Sequence, residues 1–108
     1  MANTFKNQFS KAVGTSAATV YTCPSATQTT IIGMTVGNIL SSPITVDIYV
    51  TSSATDYYIV KGAVVPVGGS LVPIGGDQKL VLEAADVLKV VSSAASSADV
   101  IASLLEIS

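Results

Sequence analysis

The clearest pattern in the chain is alternation. Across residues 44–51, ITVDIYVT, the apolar Ile44, Val46, Ile48 and Val50 alternate with Thr45, Asp47, Tyr49 and Thr51. Successive side chains of a strand point to opposite faces, so this spacing predicts a half-buried β-strand. Residues 29–39, TTIIGMTVGNI, set Ile31, Gly33, Thr35 and Gly37 on one side and Thr30, Ile32, Met34 and Val36 on the other. The small residues there signal a bulge or a close neighbour. Residues 18–22, ATVYT, are rich in strand formers and stop at Cys23-Pro24, where proline holds the preceding residue extended. Residues 57–65 read as a strand or strand pair, with Gly62 as a bulge. Three shorter strands follow at 71–74, 79–83 and 87–91. They are separated by turn residues at Gly68-Gly69, Gly75-Gly76-Asp77 and Ala84-Ala85-Asp86. Ser41-Ser42-Pro43 reads as a turn and residues 52–56 as a polar loop.

Two segments are less decisive. The end, SSAASSADVIASLLEIS, fits a helix of about three turns through Val100, Ile101, Leu104 and Leu105. It fits equally a strand in which Ile101, Leu105 and Ile107 alternate with Val100, Ala102 and Leu104. Because the other segments are β, it is assigned to a closing strand. Residues 1–12 form a polar segment punctuated by Phe5 and Phe9, and read as an N-terminal arm. Short strands at 8–12-residue spacing predict an all-β fold. The expectation is one domain over residues 1–108, an antiparallel, jelly-roll-like β-sandwich with a short N-terminal arm.

Composition alters this picture in one respect. The 108 residues can bury a core without disulfides or metal. Charged residues are 11% of the chain, against about 25% in ordinary domains. Hydrophobic residues are 49% and the mean hydropathy is +0.62. That is too apolar for an ordinary free monomer. A membrane span would need about 20 consecutive apolar residues. Lys61, Pro66, Gly68, Gly69, Pro73, Asp77 and Lys79 interrupt the richest region, and MANTFKNQFSK shows no signal-peptide core. Burial against other protein chains remains, and the many Ser and Thr suit a surface that is to be covered.

Little in the chain suggests chemistry. With no His, acid–base work would fall to seven carboxylates, and Asp47/Asp56 and Glu83/Asp86 are spaced as solvated strand ends. One Cys and no His exclude a zinc site, and no glycine-rich segment matches a phosphate cradle, so no cofactor or metal is expected. Calcium on Asp77 or Asp86 with backbone carbonyls is a secondary reading. Cys23 reads as a small buried hydrophobe. The absence of Arg, five scattered Lys and a net charge of −2 argue against nucleic acid as a partner. Tyr57-Tyr58 puts one ring on each face of a strand, one expected in the core and the other as cover or an intersubunit contact. Phe5 and Phe9 either cap their own sandwich or anchor a neighbour. The candidate interface residues are therefore Phe5, Phe9, Tyr57 and Tyr58.

The ordered segments MANTFKNQFSKAVGTSAATVYTCP, TTIIGMTVGNI, SPITVDIYV, DYYIVKGAVVPVGGSL, GGDQKLVLEAADVLKV and SADVIASLLEIS together span essentially the whole chain. They resemble the small virion structural proteins of tailed bacteriophages, of the marine and cyanobacterial type. Ala84-Ala85-Asp86 departs from the Gly-Asp turn usual in related sandwiches. The resemblance implies a non-enzymatic β-sandwich that assembles on a particle, in the virion. The preferred expectation is a capsid decoration or cement protein, in symmetric oligomers such as trimers, bound to copies of itself and to the major capsid protein. A neck or tail component is the alternative, and a glycan-binding adhesion module stands third.

Overall fold

The computed structural model describes residues 2–75 and 78–108. Within them the strands are β1 (Asn3–Val13), β2 (Ala18–Thr22), β3 (Gln28–Asn38), β4 (Ile44–Ser52), β5 (Thr55–Val65), β6 (Ser70–Ile74), β7 (Leu80–Leu82), β8 (Val87–Ser92) and β9 (Ala98–Ile107). They form two antiparallel sheets. One has the order β1-β9-β3-β6, with β7 also paired to β3; the other is β2-β8-β4-β5. β6 and β7 lie along successive stretches of the same edge of β3, so together they act as one interrupted strand. Counting them once gives two four-stranded layers, in the double Greek-key order of a jelly roll.

The core between the layers follows from alternation. Val46 and Ile48 on β4, Leu88 and Val90 on β8, and Val100, Ala102 and Leu104 on β9 all point inward and are buried. The C-terminal segment is therefore a strand, as assigned, because Val100, Ala102 and Leu104 in alternation find the core. β3 departs from strict alternation. Its ladder with β9 shifts register between Ile31 and Gly33. The extra residue changes the phase, so Ile31, Met34 and Val36 are all buried although a period of two sets Ile31 apart from the other two. The bulge anticipated at Gly62 is present: its φ is 69°, the β4–β5 ladder shifts beside it, and its N–H donates to Asp47 Oδ1 at 2.7 Å.

Two further expectations change. The segment predicted as an N-terminal arm is the strand β1, paired without interruption from Asn3–Ile107 to Ser10–Val100. It reads as polar because it is an edge strand, largely exposed on both faces until Val13 enters the core. The polar loop at 52–56 is a two-residue hairpin turn. Ser52 pairs with Thr55, and Ser53 and Ala54 both have positive φ, 51° and 65°. The Ala84–Asp86 turn is also left-handed at Ala85, with φ 74°, where the Gly-Asp pattern would supply glycine. No helix among the described residues is long and apolar enough to cross a membrane.

Candidate assembly interface

The four aromatic candidates fall on two separate surfaces. Phe5 and Phe9 are on β1, at one edge of the first sheet, and Tyr57 and Tyr58 are on β5, at one edge of the second. Each edge strand packs across the sandwich on a different neighbour, β1 on β2 and β5 on β6, so the two pairs do not form one site.

Neither tyrosine is in the core, contrary to the expectation of one inward ring; Tyr57 is 60% and Tyr58 46% exposed. The buried ring on this surface is Tyr49. It lies opposite Tyr58 on β4, with ring centroids 4.9 Å apart at 35°. The Lys61 ammonium sits 4.3 Å from the Tyr58 centroid. Tyr58 thus covers Tyr49 and carries a cation over its ring, an arrangement already largely satisfied within the chain. Burial raises the Tyr49 pKa, helped by the carboxylate of Asp56.

The phenylalanines differ. Phe5 is 76% and Phe9 64% exposed. Neither caps the sandwich, because β1 presents them on the outer face, away from Val100, Ala102 and Leu104. Phe5 lies opposite Leu105, Leu105 opposite Thr30, and Thr30 opposite the exposed Val81. Phe9 lies opposite the exposed Ile101, and Ile101 opposite Thr35. Two uncharged rows therefore cross the outer face of the first sheet. At one end of the face Lys11 Nζ donates to Asp99 Oδ2 at 2.8 Å, and the Ala12 N–H donates to Oδ1 of the same carboxylate. These bonds hold the Asp99 pKa below the usual carboxylate range.

The carboxylates act as clips. Asp47 accepts from Gly62, and Asp56 from Thr51 Oγ1 at 2.7 Å. Asp86 accepts from Ser52 Oγ at 2.6 Å and from the Glu83 N–H at 2.9 Å, which ties the β4–β5 turn to the turn before β8. Both Asp86 oxygens are thus engaged within the chain, which leaves it poorly placed for calcium. Asp77 lies outside the described residues. Among the described residues no group of three or more His, Cys, Asp or Glu could hold a metal ion. Glu106 accepts from Tyr21 Oη at 2.5 Å and pairs with Lys6 Nζ at 3.0 Å. The tyrosine bond, then the lysine, lowers its pKa. Burial, then the bond to Glu106, pushes the Tyr21 phenol well above its ordinary value. Cys23 is 1% exposed, and its thiol lies 3.3 Å from the Thr27 carbonyl and from Thr29 Oγ1. It is the buried small residue that the sequence suggested. A shallow hollow formed by Ala26, Thr27, Ala84 and Ile107 has Glu83 as its ionisable side chain, which offers no acid–base pair.

The outer-face rows themselves were only half visible in the sequence. Phe5 and Phe9 stand out, but Ile101, Leu105 and Val81 gain meaning only once the ladders set them beside β1.

No protein-family model matches this chain, and no curated protein matches it in sequence. Among solved structures, a protein of Bacillus endospore appendages, described as a novel family of disulfide-linked pili, aligns with a TM-score of 0.55. The identity is 15%, over 99% of this chain and 87% of that one. The two chains share an all-β sandwich fold.

Proposed function

We propose that this chain is a non-enzymatic structural subunit that assembles with copies of itself on the surface of a larger particle. The observation that carries this reading is the outer face of the first sheet, where Phe5, Phe9, Ile101 and Val81 are exposed in uncharged rows. Burying each phenyl ring against a partner stabilises the contact by about 1.5–3 kcal/mol. Large apolar side chains exposed together on one face mark interaction sites on soluble proteins. Asp47, Asp56, Asp86, Asp99 and Glu106 are instead engaged in turns, bulges and strand ends.

The fold shared with an appendage subunit is compatible with this role, but disulfide linkage is not transferable. Cys23 is the one cysteine of the sequence and is buried under Thr27 and Thr29. Assembly here is non-covalent. The finer reading rests on the sequence resemblance: a decoration or cement protein on the head of a tailed-phage virion, contacting the major capsid protein. A neck or tail ring is the alternative.

Sedimentation velocity of the purified chain at micromolar concentration tests the core of this reading. The expected result is a defined oligomer; a monodisperse monomer would overturn it. Quantitative mass spectrometry of intact particles separates the finer readings. Hundreds of copies favour decoration, and a handful favours a neck or tail ring.

A further inference from the structure

The partner of β1 can be identified from its hydrogen-bonding parity. Ala2 and Ser108 exchange both backbone bonds, Ala2 N–H to the Ser108 carbonyl at 2.9 Å and Ser108 N–H to the Ala2 carbonyl at 3.0 Å. In an antiparallel ladder, hydrogen-bonded and non-hydrogen-bonded pairs alternate. Thr4, Lys6, Gln8 and Ser10 therefore bond to β9, through their pairs with Glu106, Leu104, Ala102 and Val100. Asn3, Phe5, Asn7 and Phe9 turn their N–H and C=O groups to the opposite, open side. Among the described residues no backbone bond outside the β9 ladder reaches these four.

Open edges invite pairing, and folded proteins usually guard them with proline, bulges or short strands. The other edges of this sandwich are guarded. β2 has five residues and a register shift at Val20. β5 shifts register twice, once at its Gly62 bulge and once between Tyr58 and Val60. The β6–β7 edge contains Pro73 and is broken between its two halves. β1 has eleven residues, no proline, and no irregularity from Asn3 to Ser10.

Resting on the assembly reading above, we infer that β1 pairs with β1 of a second copy, antiparallel about a two-fold axis at Asn7. Parity requires that Asn3, Phe5, Asn7, Phe9 and Lys11 form the hydrogen-bonded pairs of the new ladder. Of the three registers centred on Lys6, Asn7 and Gln8, which all meet this condition, charge and side-chain fit select one. Centring on Lys6 would set Lys6 against its own copy, and like charges directly opposite are destabilising. Centring on Gln8 would set Phe5 against Lys11. Centring on Asn7 places Phe5 opposite Phe9 of the second copy, twice, with Lys6 opposite Gln8 and Lys11 opposite Asn3. The aromatic pairs then join the outer-face rows of the two copies into one surface, and the two first sheets become one continuous sheet. The contact is self-complementary, as a two-fold interface must be. Its unit is a dimer, from which a larger assembly would be built, rather than the trimer suggested by the sequence.

Two variants test the pairing in the full chain. In Asn7→Pro, the lost N–H is one that faces the open edge, so the sandwich should keep its circular dichroism. Self-association by sedimentation should weaken by about tenfold or more. In Asn7→Cys, the two thiols face each other across the axis. The Cα separation of such a pair, about 5.5 Å, is within disulfide range. Mild oxidation should therefore give a covalent dimer, whereas Ser103→Cys, one strand in from the edge, should not. An oligomeric wild type whose Asn7→Pro variant associates equally well, and whose Asn7→Cys variant fails to cross-link, would overturn this pairing and leave the assembly reading intact. A monomeric wild type would overturn both. If Asn7→Pro unfolds, the Asn7→Cys cross-link decides alone: a dimer supports the pairing and its absence refutes it.

Discussion

Several residues of this chain occupy backbone conformations that suit glycine better. Ala54 and Ala85 hold φ at 65° and 74°, where an L side chain crowds its own backbone by about 1–2 kcal/mol. Replacing either with glycine relieves that crowding but adds about 0.4–1 kcal/mol of unfolded-state entropy. Ala54→Gly and Ala85→Gly should each therefore stabilise the fold by about 0.5–1 kcal/mol. The check is a higher denaturant midpoint at unchanged slope. Ala54 also shows why the sequence hid this hairpin: a two-residue turn with both φ positive is usually announced by Asn-Gly, and Ser-Ala carries no such signal. Tyr21, Glu106 and Lys6 form a chain of bonds. The folded-state pKa of Glu106 is lowered, so its contribution is fully present above the unfolded value near 4.3 and is lost as pH falls through the folded value. Tyr21→Phe removes the hydrogen bond that contributes most to that shift. It should cost about 1–3 kcal/mol at neutral pH and flatten the loss of stability below pH ~4.3. Urea titrations at neutral and acid pH measure both effects, and an unchanged acid slope would count against the assigned cause.

At the scale of strands, what the sequence revealed depended on whether a face reached the core. β4 and β8 were legible because one side of each meets the opposite sheet, whereas β9, whose spacing fitted a helix equally, was assigned from its β context. β1 was not legible, because an edge strand beyond the core has no buried side to create a pattern; only the spacing of Phe5 and Phe9 betrayed its outer face. In β3 both the strand and the presence of an irregularity were legible, but not the phase. One added residue between Ile31 and Gly33 carries Met34 and Val36 back into the core, and the composition of the run does not show where that residue sits. Gly62 was easier, since a glycine inside a β-branched run has few other uses. Its Cβ position is open, with nothing within 4 Å, so the cost of a side chain there is conformational rather than steric. Gly62→Ala should destabilise by about 1–2 kcal/mol without disturbing the bond to Asp47. A much larger loss would mean that the bulge itself had collapsed, visible as altered amide exchange along β4 and β5.

The whole molecule adds what no local pattern contains, which is the order of strands. The first and last strands pair with each other, and this ladder brings Phe5 beside Leu105 and Phe9 beside Ile101, residues about a chain length apart. The all-β sandwich was foreseeable from many short strands with turns between them; the order of its strands was not. Nor was the candidate surface, because it is assembled by that pairing. Its composition makes a further prediction about how the molecule associates. The exposed side chains of the two rows are uncharged, and the nearby charges are spent within the chain, Lys11 on Asp99 and Lys6 on Glu106. Association through this face should therefore be driven by apolar burial and backbone bonding rather than by charge attraction. Screening shortens to about 3 Å at 1 M salt, which weakens exposed ionic contacts but not apolar ones. Raising sodium chloride from about 0.05 M to 1 M should leave the association constant nearly unchanged, whereas sodium sulfate, which favours burial, should strengthen it. Sedimentation equilibrium across the two salts measures this directly. A steep fall in association with sodium chloride would place the contact on charged residues and away from the Phe5–Phe9 face.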